Sequence, residues 1–455
     1  MGFAIAAHLA FVIGFDFPLG QGFASFIQVH GHAQLMGWTG LFIISVTLHF
    51  IPRLIGTPIA QPRLVHWVLG LLVSGLIVRG LAQSTVPYLQ NSPFFGLVNS
   101  LNSVSGFLEW SGLLIYFMLL IRLLAGAGSS KSRPAMEQVR PFFAMMIIGF
   151  ALYASLNLVL LTDMVLRGAM VLNQAWNELA IQIFVGLVLL PVTMAFSVRM
   201  FPLLLRLPAV DWPVRALAYA YGFGFCLQVL PSVPVVARLS SQLPLVVGQL
   251  GVIIKGCVIL WFIWQLDILT RLRQPWTVKR SGQPAIDRRP TRPGLPDYGN
   301  FGRFERLVYS AYSWLAVGGM YEILSSLSSL LGRPLLHGSS VIRHIYLLGF
   351  ITLLILGLAV RMIPSFVGKR RVFSPRLVDA TFWLGNAAVL LRIVPMMIPV
   401  SWYEAWPISV TIARTGFGLS GIVALAAICC LAINLRKTIV CAATQDTMCG
   451  CCSVG

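Results

Sequence analysis

The chain has 455 residues, 57% of them hydrophobic and only 10% charged, against about a quarter charged in an ordinary soluble domain. That composition excludes a water-soluble enzyme. At roughly 20 apolar residues per crossing, the length fits about twelve membrane helices and leaves no room for a large aqueous domain. The net charge of +19 does not point to nucleic acid, because the basic residues are scattered through short loops between apolar runs and read as membrane topology.

Taken in chain order, the apolar runs predict an all-α polytopic protein with spans near residues 1–16, 29–51, 64–83, 101–121, 141–161, 173–201, 212–236, 244–270, 305–331, 340–363, 375–398 and 406–435. The first lacks a basic leader and a small-residue cleavage site, so it is read as helix 1 rather than a signal peptide. Most Lys and Arg follow the even-numbered helices. This predicts a bacterial-type inner-membrane protein with both termini cytoplasmic. Residues 1–436 form one transmembrane domain with a basic cytoplasmic loop at about 271–304, and 437–455 form a cytoplasmic tail. That tail carries Cys441, Cys449, Cys451 and Cys452, open to a metal or thiol role or to plain irregularity. No Cys-x-x-Cys-His occurs, so covalent haem attachment is not expected.

Three spans end in similar words: Leu48-His49-Phe50-Ile51-Pro52, Val198-Arg199-Met200-Phe201-Pro202 and Val360-Arg361-Met362-Ile363-Pro364. Four helices separate successive words, which predicts three related four-helix units around an approximate three-fold axis. Twenty residues before each proline stand His32, Gln182 and His344. Two imidazoles at one depth on helices 2 and 10 could be the axial ligands of a haem iron, with Gly37, Gly40, Gly349 and Gly357 leaving space for the ring edge. The competing reading is hydrogen-bonded interfacial histidines and close-packed glycines. His30 points about 200° away from His32 on a helix and cannot share its iron. It either serves a second metal, with Glu178 and His337 as the nearest candidates, or lies in a surface loop. His8 is read as facing the bundle from helix 1, and His49 and His66, near the cytoplasmic boundary, as interfacial; none of the three is taken as a ligand.

The segments His30-Gly31-His32-Ala33-Gln34-Leu35-Met36-Gly37 and Arg343-His344-Ile345-Tyr346-Leu347-Leu348-Gly349-Phe350 resemble the NnrS family. More distantly they resemble the catalytic subunit of haem–copper oxidases. The resemblance implies a twelve-helix, pseudo-three-fold fold with haem b between helices 2 and 10, a small ligand such as nitric oxide, and a role in nitric oxide response or electron transfer. Copper is also implied by the family, but Ala33 and Ser365-Phe366-Val367-Gly368-Lys369 depart from its pattern. Helix 6 has Gln182 and helix 7 has no histidine, so the oxidases' copper site, and with it oxygen reduction, is not expected. Whether the chain is an enzyme, and which donor supplies electrons, stays open.

Ionisable groups within spans are costly enough to mark function: Glu109, Glu178, Lys255, Glu322 and Arg414. They are either buried ion pairs or relay groups. Arg343 and Arg392 are the expected donors to haem propionates. The rival expectation is a secondary transporter whose path is lined by Glu109, Lys255 and Glu322.

Overall fold

The computed structural model describes residues 1–126, 134–237, 243–273, 299–333, 338–398 and 400–448. Among the described residues the chain is all-helical, without strands. Its long helices are α1 (Gly2–Gly14), α2 (Phe23–Ile55), α3 (Arg63–Leu89), α4 (Phe95–Gly126), α5 (Pro134–Leu166), α6 (Gln174–Leu204), α7 (Val214–Val229), α8 (Leu243–Leu266), α9 (Phe304–Leu330), α10 (Gly338–Phe366), α11 (Pro375–Met397) and α12 (Pro407–Met448). Nine of them are long and apolar enough to cross a membrane, which makes this a multi-pass membrane protein. The other three are α1 and α7, of 13 and 16 residues, and α9, which carries Glu305, Arg306 and Glu322. Helix α12 continues to Met448, so the chain from 437 onward first extends that helix. The remaining cysteines of the tail, Cys449, Cys451 and Cys452, and His337 lie outside the described residues, as does most of the basic loop.

Local sequence sets the helix ends. Gly56 terminates α2 in the left-handed conformation at φ +78°, which costs glycine little. The side chain of Asn173 accepts the backbone N–H of Trp176 at the start of α6, satisfying one of the orphan donors there. Pro52, Pro202 and Pro364 each fall in a final turn, so the repeated words are helix endings.

Burial sorts the nine apolar helices into two layers. In α2, α6 and α10, 56%, 78% and 78% of the apolar window is buried, against 33–44% in the other six. These three form the interior. Around them α3 packs on α4, α4 on α5, α5 on α7, α7 on α8, α8 on α9, α9 on α11, α11 on α12 and α12 on α1. The last contact is unusually close: a Cβ on Gly14 would lie 2.4 Å from Gly418, and one on Gly421 2.5 Å from Ala7. Small residues permit such backbone approach between helices.

The interior helices share a second feature. Each contains a π-helical stretch, at Ala33–Gly40, Phe184–Leu189 and Ile345–Thr352, the first and last following directly on His32 and His344. Wider coils loosen backbone carbonyls, and side-chain hydroxyls can satisfy them. Thr39 bonds to the carbonyl of Gln34, Thr352 to that of Leu347 and Tyr221 of α7 to that of Gly186.

Between these stretches and the prolines, α2, α6 and α10 enclose an apolar cavity. Its lining falls into matched triplets. Phe50, Met200 and Met362 stand two residues before Pro52, Pro202 and Pro364; Val46, Phe196 and Leu358 stand six before; Ile43, Thr193 and Ile355 nine; Phe42, Val192 and Leu354 ten.

Candidate functional site

The polar side chains expected to carry function fall into three separate clusters. The first lies among α2, α3, α4 and α5 and is closed. His32 is 5% exposed; its Nε2 meets the Glu109 carboxylate at 2.8–2.9 Å and its Nδ1 the Tyr153 hydroxyl at 2.9 Å. Arg79, 2% exposed, donates to Gln83 at 3.0 Å and to Asn157 at 2.6 Å, and Gln83 donates to Gln28 at 2.9 Å. Glu109 lies within range of the Arg79 charge. A buried cation is tolerable when a carboxylate and hydrogen bonds answer it, and here both do. Arg79 is an ionisable group inside the third apolar run, so sequence reading could have found it. Tyr153 carries no such signal, because its role depends on a neighbour 121 residues away.

The second cluster joins α8, α9 and α10. The Lys255 Nζ lies 2.7 Å from the Glu322 carboxylate, with exposures of 4% and 1%, and 5.7 Å from the centre of the Tyr346 ring. Glu322 and Lys255 are therefore a buried ion pair, the structural alternative anticipated for them. Glu109 belongs to the first cluster and those two to the second, so the three do not line one path. Glu178 is likewise paired: Arg343 grips both its oxygens at 2.8–2.9 Å, linking α10 to α6. Arg414 pairs with Asp16 at 2.7 Å on the surface.

The third cluster gathers α1, α2, α10, α11 and α12. Both imidazoles in it are partly buried. His30 Nδ1 meets the Gly2 carbonyl at 3.0 Å, and His344 Nδ1 meets the Ser340 carbonyl at 2.7 Å. A carbonyl can only accept, so each Nδ1 carries a proton, and in the neutral ring Nε2 is then the nitrogen with the lone pair. That second contact is the one that metal-bound imidazoles usually make. His30 and Arg392 lie within electrostatic range of His344, and Arg392 also acts on His30. The Arg392 guanidinium rests on the Phe417 ring, 4.3 Å from its centre. It has no hydrogen bond or ion pair with another described residue.

Four expectations change on this geometry. His32 turns to α4 and α5, where both its ring nitrogens are engaged by Glu109 and Tyr153. His30, placed by sequence either at a second metal or in a loop, is helical, because α2 begins at Phe23, and it is the imidazole of α2 that approaches His344. Arg343 is committed to Glu178 rather than free for a propionate. Two of the four glycines serve helix packing: a Cβ on Gly349 would lie 3.0 Å from the Trp314 ring and one on Gly357 3.0 Å from Leu307, whereas one on Gly37 would make ordinary contact with Leu76 at 3.6 Å and one on Gly40 would meet Met36 of its own helix at 3.0 Å.

Among the described residues no group of three or more His, Cys, Asp or Glu could hold a bare metal ion. A porphyrin supplies four of its iron's six ligands, so two imidazoles suffice for a haem. His30, His344 and Arg392, which has no carboxylate partner among the described residues, fit a metal-centred ligand with an anionic edge. No family model matches the chain, and no curated protein matches it.

Proposed function

We propose that the chain is a b-type haem-binding integral membrane protein of the NnrS type, serving electron transfer or nitric oxide response. His30 of α2 and His344 of α10 would hold the iron through their imidazoles, and Arg392 of α11 would hold a propionate. The observation that carries this reading is the pair of Nε2 lone pairs. Each is set by a backbone carbonyl on the opposite nitrogen, and Arg392, which has no carboxylate partner among the described residues, lies within electrostatic range of both. A bound haem supplies a one-electron carrier. Held by two imidazoles, such a haem would supply electron transfer rather than chemistry on a bound gas. The chain's own part is to fix the two imidazole tautomers, supply a counter-charge and, through α1 clasped on α12, bring the Gly2 carbonyl to His30. Gln182 and the absence of histidine from α7 argue against an oxygen-reducing copper centre. Copper elsewhere has no donor set of three among the described residues.

The architecture we infer is twelve spans in three four-helix units, with both termini on the cytoplasmic side of a bacterial-type inner membrane. The long helices at the twelve expected positions, the three π stretches and the matched triplets support the repeat; the Lys and Arg distribution supports the orientation. The transporter alternative has less support, since Glu109 and the Lys255–Glu322 pair sit in different clusters.

The test is the absorption spectrum of the full-length protein, purified in detergent after expression with ample haem. A low-spin b spectrum that survives His32→Ala and is lost in His30→Ala and His344→Ala supports the assignment. A colourless wild-type protein overturns it.

A further inference from the structure

The axial cavity takes no part in the proposed haem site, and its chemistry is different. We propose that it is a binding site for a small, uncharged, apolar gas, of the size of a diatomic molecule. This inference does not rest on the haem assignment.

The lining explains the ligand class. Among the described residues no charged side chain borders the cavity, and the only side-chain hydroxyls there are those of Thr193 and Ser197. Both are already used: Thr193 donates to the Leu190 carbonyl at 2.8 Å, and Ser197 donates to the Thr193 carbonyl at 2.6 Å and meets the Tyr312 hydroxyl. A water here would find no free hydroxyl proton and only spare lone pairs on those two oxygens, short of the two to four partners a buried water takes, and apolar cavities stay dry and accept apolar guests. The space is about 40 Å³, where one water on the same measure needs roughly 10–15 Å³. That admits a guest of a few atoms and does not suit a ring system. Dispersion is the remaining source of affinity, and the polarizable thioethers of Met200 and Met362 favour it while flexing to fit. Phe50 and Phe196 meet edge to face, 6.0 Å between centres, and narrow the end next to the prolines. The bilayer around the bundle concentrates apolar gases and supplies the guest without an aqueous route.

Xenon is the probe, because it shares this size and chemistry and scatters anomalously. Crystals of the full chain under xenon pressure are expected to show a peak between α2, α6 and α10. Val46→Phe, which fills the space, is expected to reduce the peak to background, and Ile43→Ala, which enlarges it, to raise occupancy at the same pressure. Should Val46→Phe fail to fold, the Ile43→Ala comparison still decides. Absence of xenon from both the wild type and Ile43→Ala overturns the proposal, as does an ordered water chain or an acyl chain filling the cavity. A xenon peak in a colourless protein would support this site while defeating the haem reading, so the two fail separately.

Discussion

The two faces of α2 carry histidines two residues apart in opposite chemical states. On one face His32 is sealed in, with a carboxylate on Nε2, a phenol on Nδ1 and a buried arginine behind them. On the other, His30 is tied by Nδ1 alone to a backbone carbonyl and keeps its second nitrogen open, beside an imidazole in the same condition and a guanidinium resting on a ring. Burial alone would have favoured His32 as the functional residue. Hydrogen-bond completeness points the other way: a fully satisfied polar cluster holds helices together, and a partly committed one has capacity for a ligand.

This contrast can be broken most decisively by substitution. Replacing His344 or His30 with Ala is expected to abolish the low-spin haem spectrum, with His32→Ala retaining it; bleaching by His32→Ala alone would invert the comparison. Next in size is Glu109→Ala, which leaves Arg79 and His32 without their carboxylate. It is expected to destabilise the protein by on the order of 3 kcal/mol, read as a lower melting temperature in detergent, with haem content per folded protein unchanged. Arg392→Gln should weaken haem retention roughly tenfold, the worth of one charge-assisted hydrogen bond, measured as faster transfer of haem to an apo-globin acceptor. Arg343→Gln, already committed to Glu178, should change that rate less. Asp16→Asn is expected to leave both pigment and melting temperature unchanged, because its partner Arg414 is met on the open surface where ion pairs are weak and screened by salt.

The fold was legible in the sequence wherever it rested on apolar runs and prolines. Helices appear at the twelve expected positions, nine of them long and apolar enough to cross a membrane, and the words before Pro52, Pro202 and Pro364 close the three interior helices. Helix starts were less legible: α2 and α4 each begin six residues before their apolar runs, carrying polar residues that helical packing satisfies. This extension moves His30 from the first turn of the apolar run to more than a full turn inside the helix. The misplaced partner of His344 has a geometric cause. On the three-fold reading, His32 and His344 are equivalent, so rotation points them into equivalent but different clefts, and repeat equivalence argues against their meeting. A residue of α2 facing the cleft of His344 must come from the far side of the helix, and His30 is about 200° away. The partners of Glu109, Lys255 and Arg343 come from distant helices, and only the choice between relay and ion pair could be framed beforehand.

The π stretches act on the interior helices much as an inserted tooth acts on a gear train. Each extra residue per turn rotates everything downstream by about 100°, so the outer end of α2 and its axial end need not obey one stripe of sequence. His30 and His32 can be aimed at two clefts while Ile43, Val46 and Phe50 stay trained on the axis. Deleting one residue from Ala33–Gly40 would therefore turn the two halves of the helix against each other.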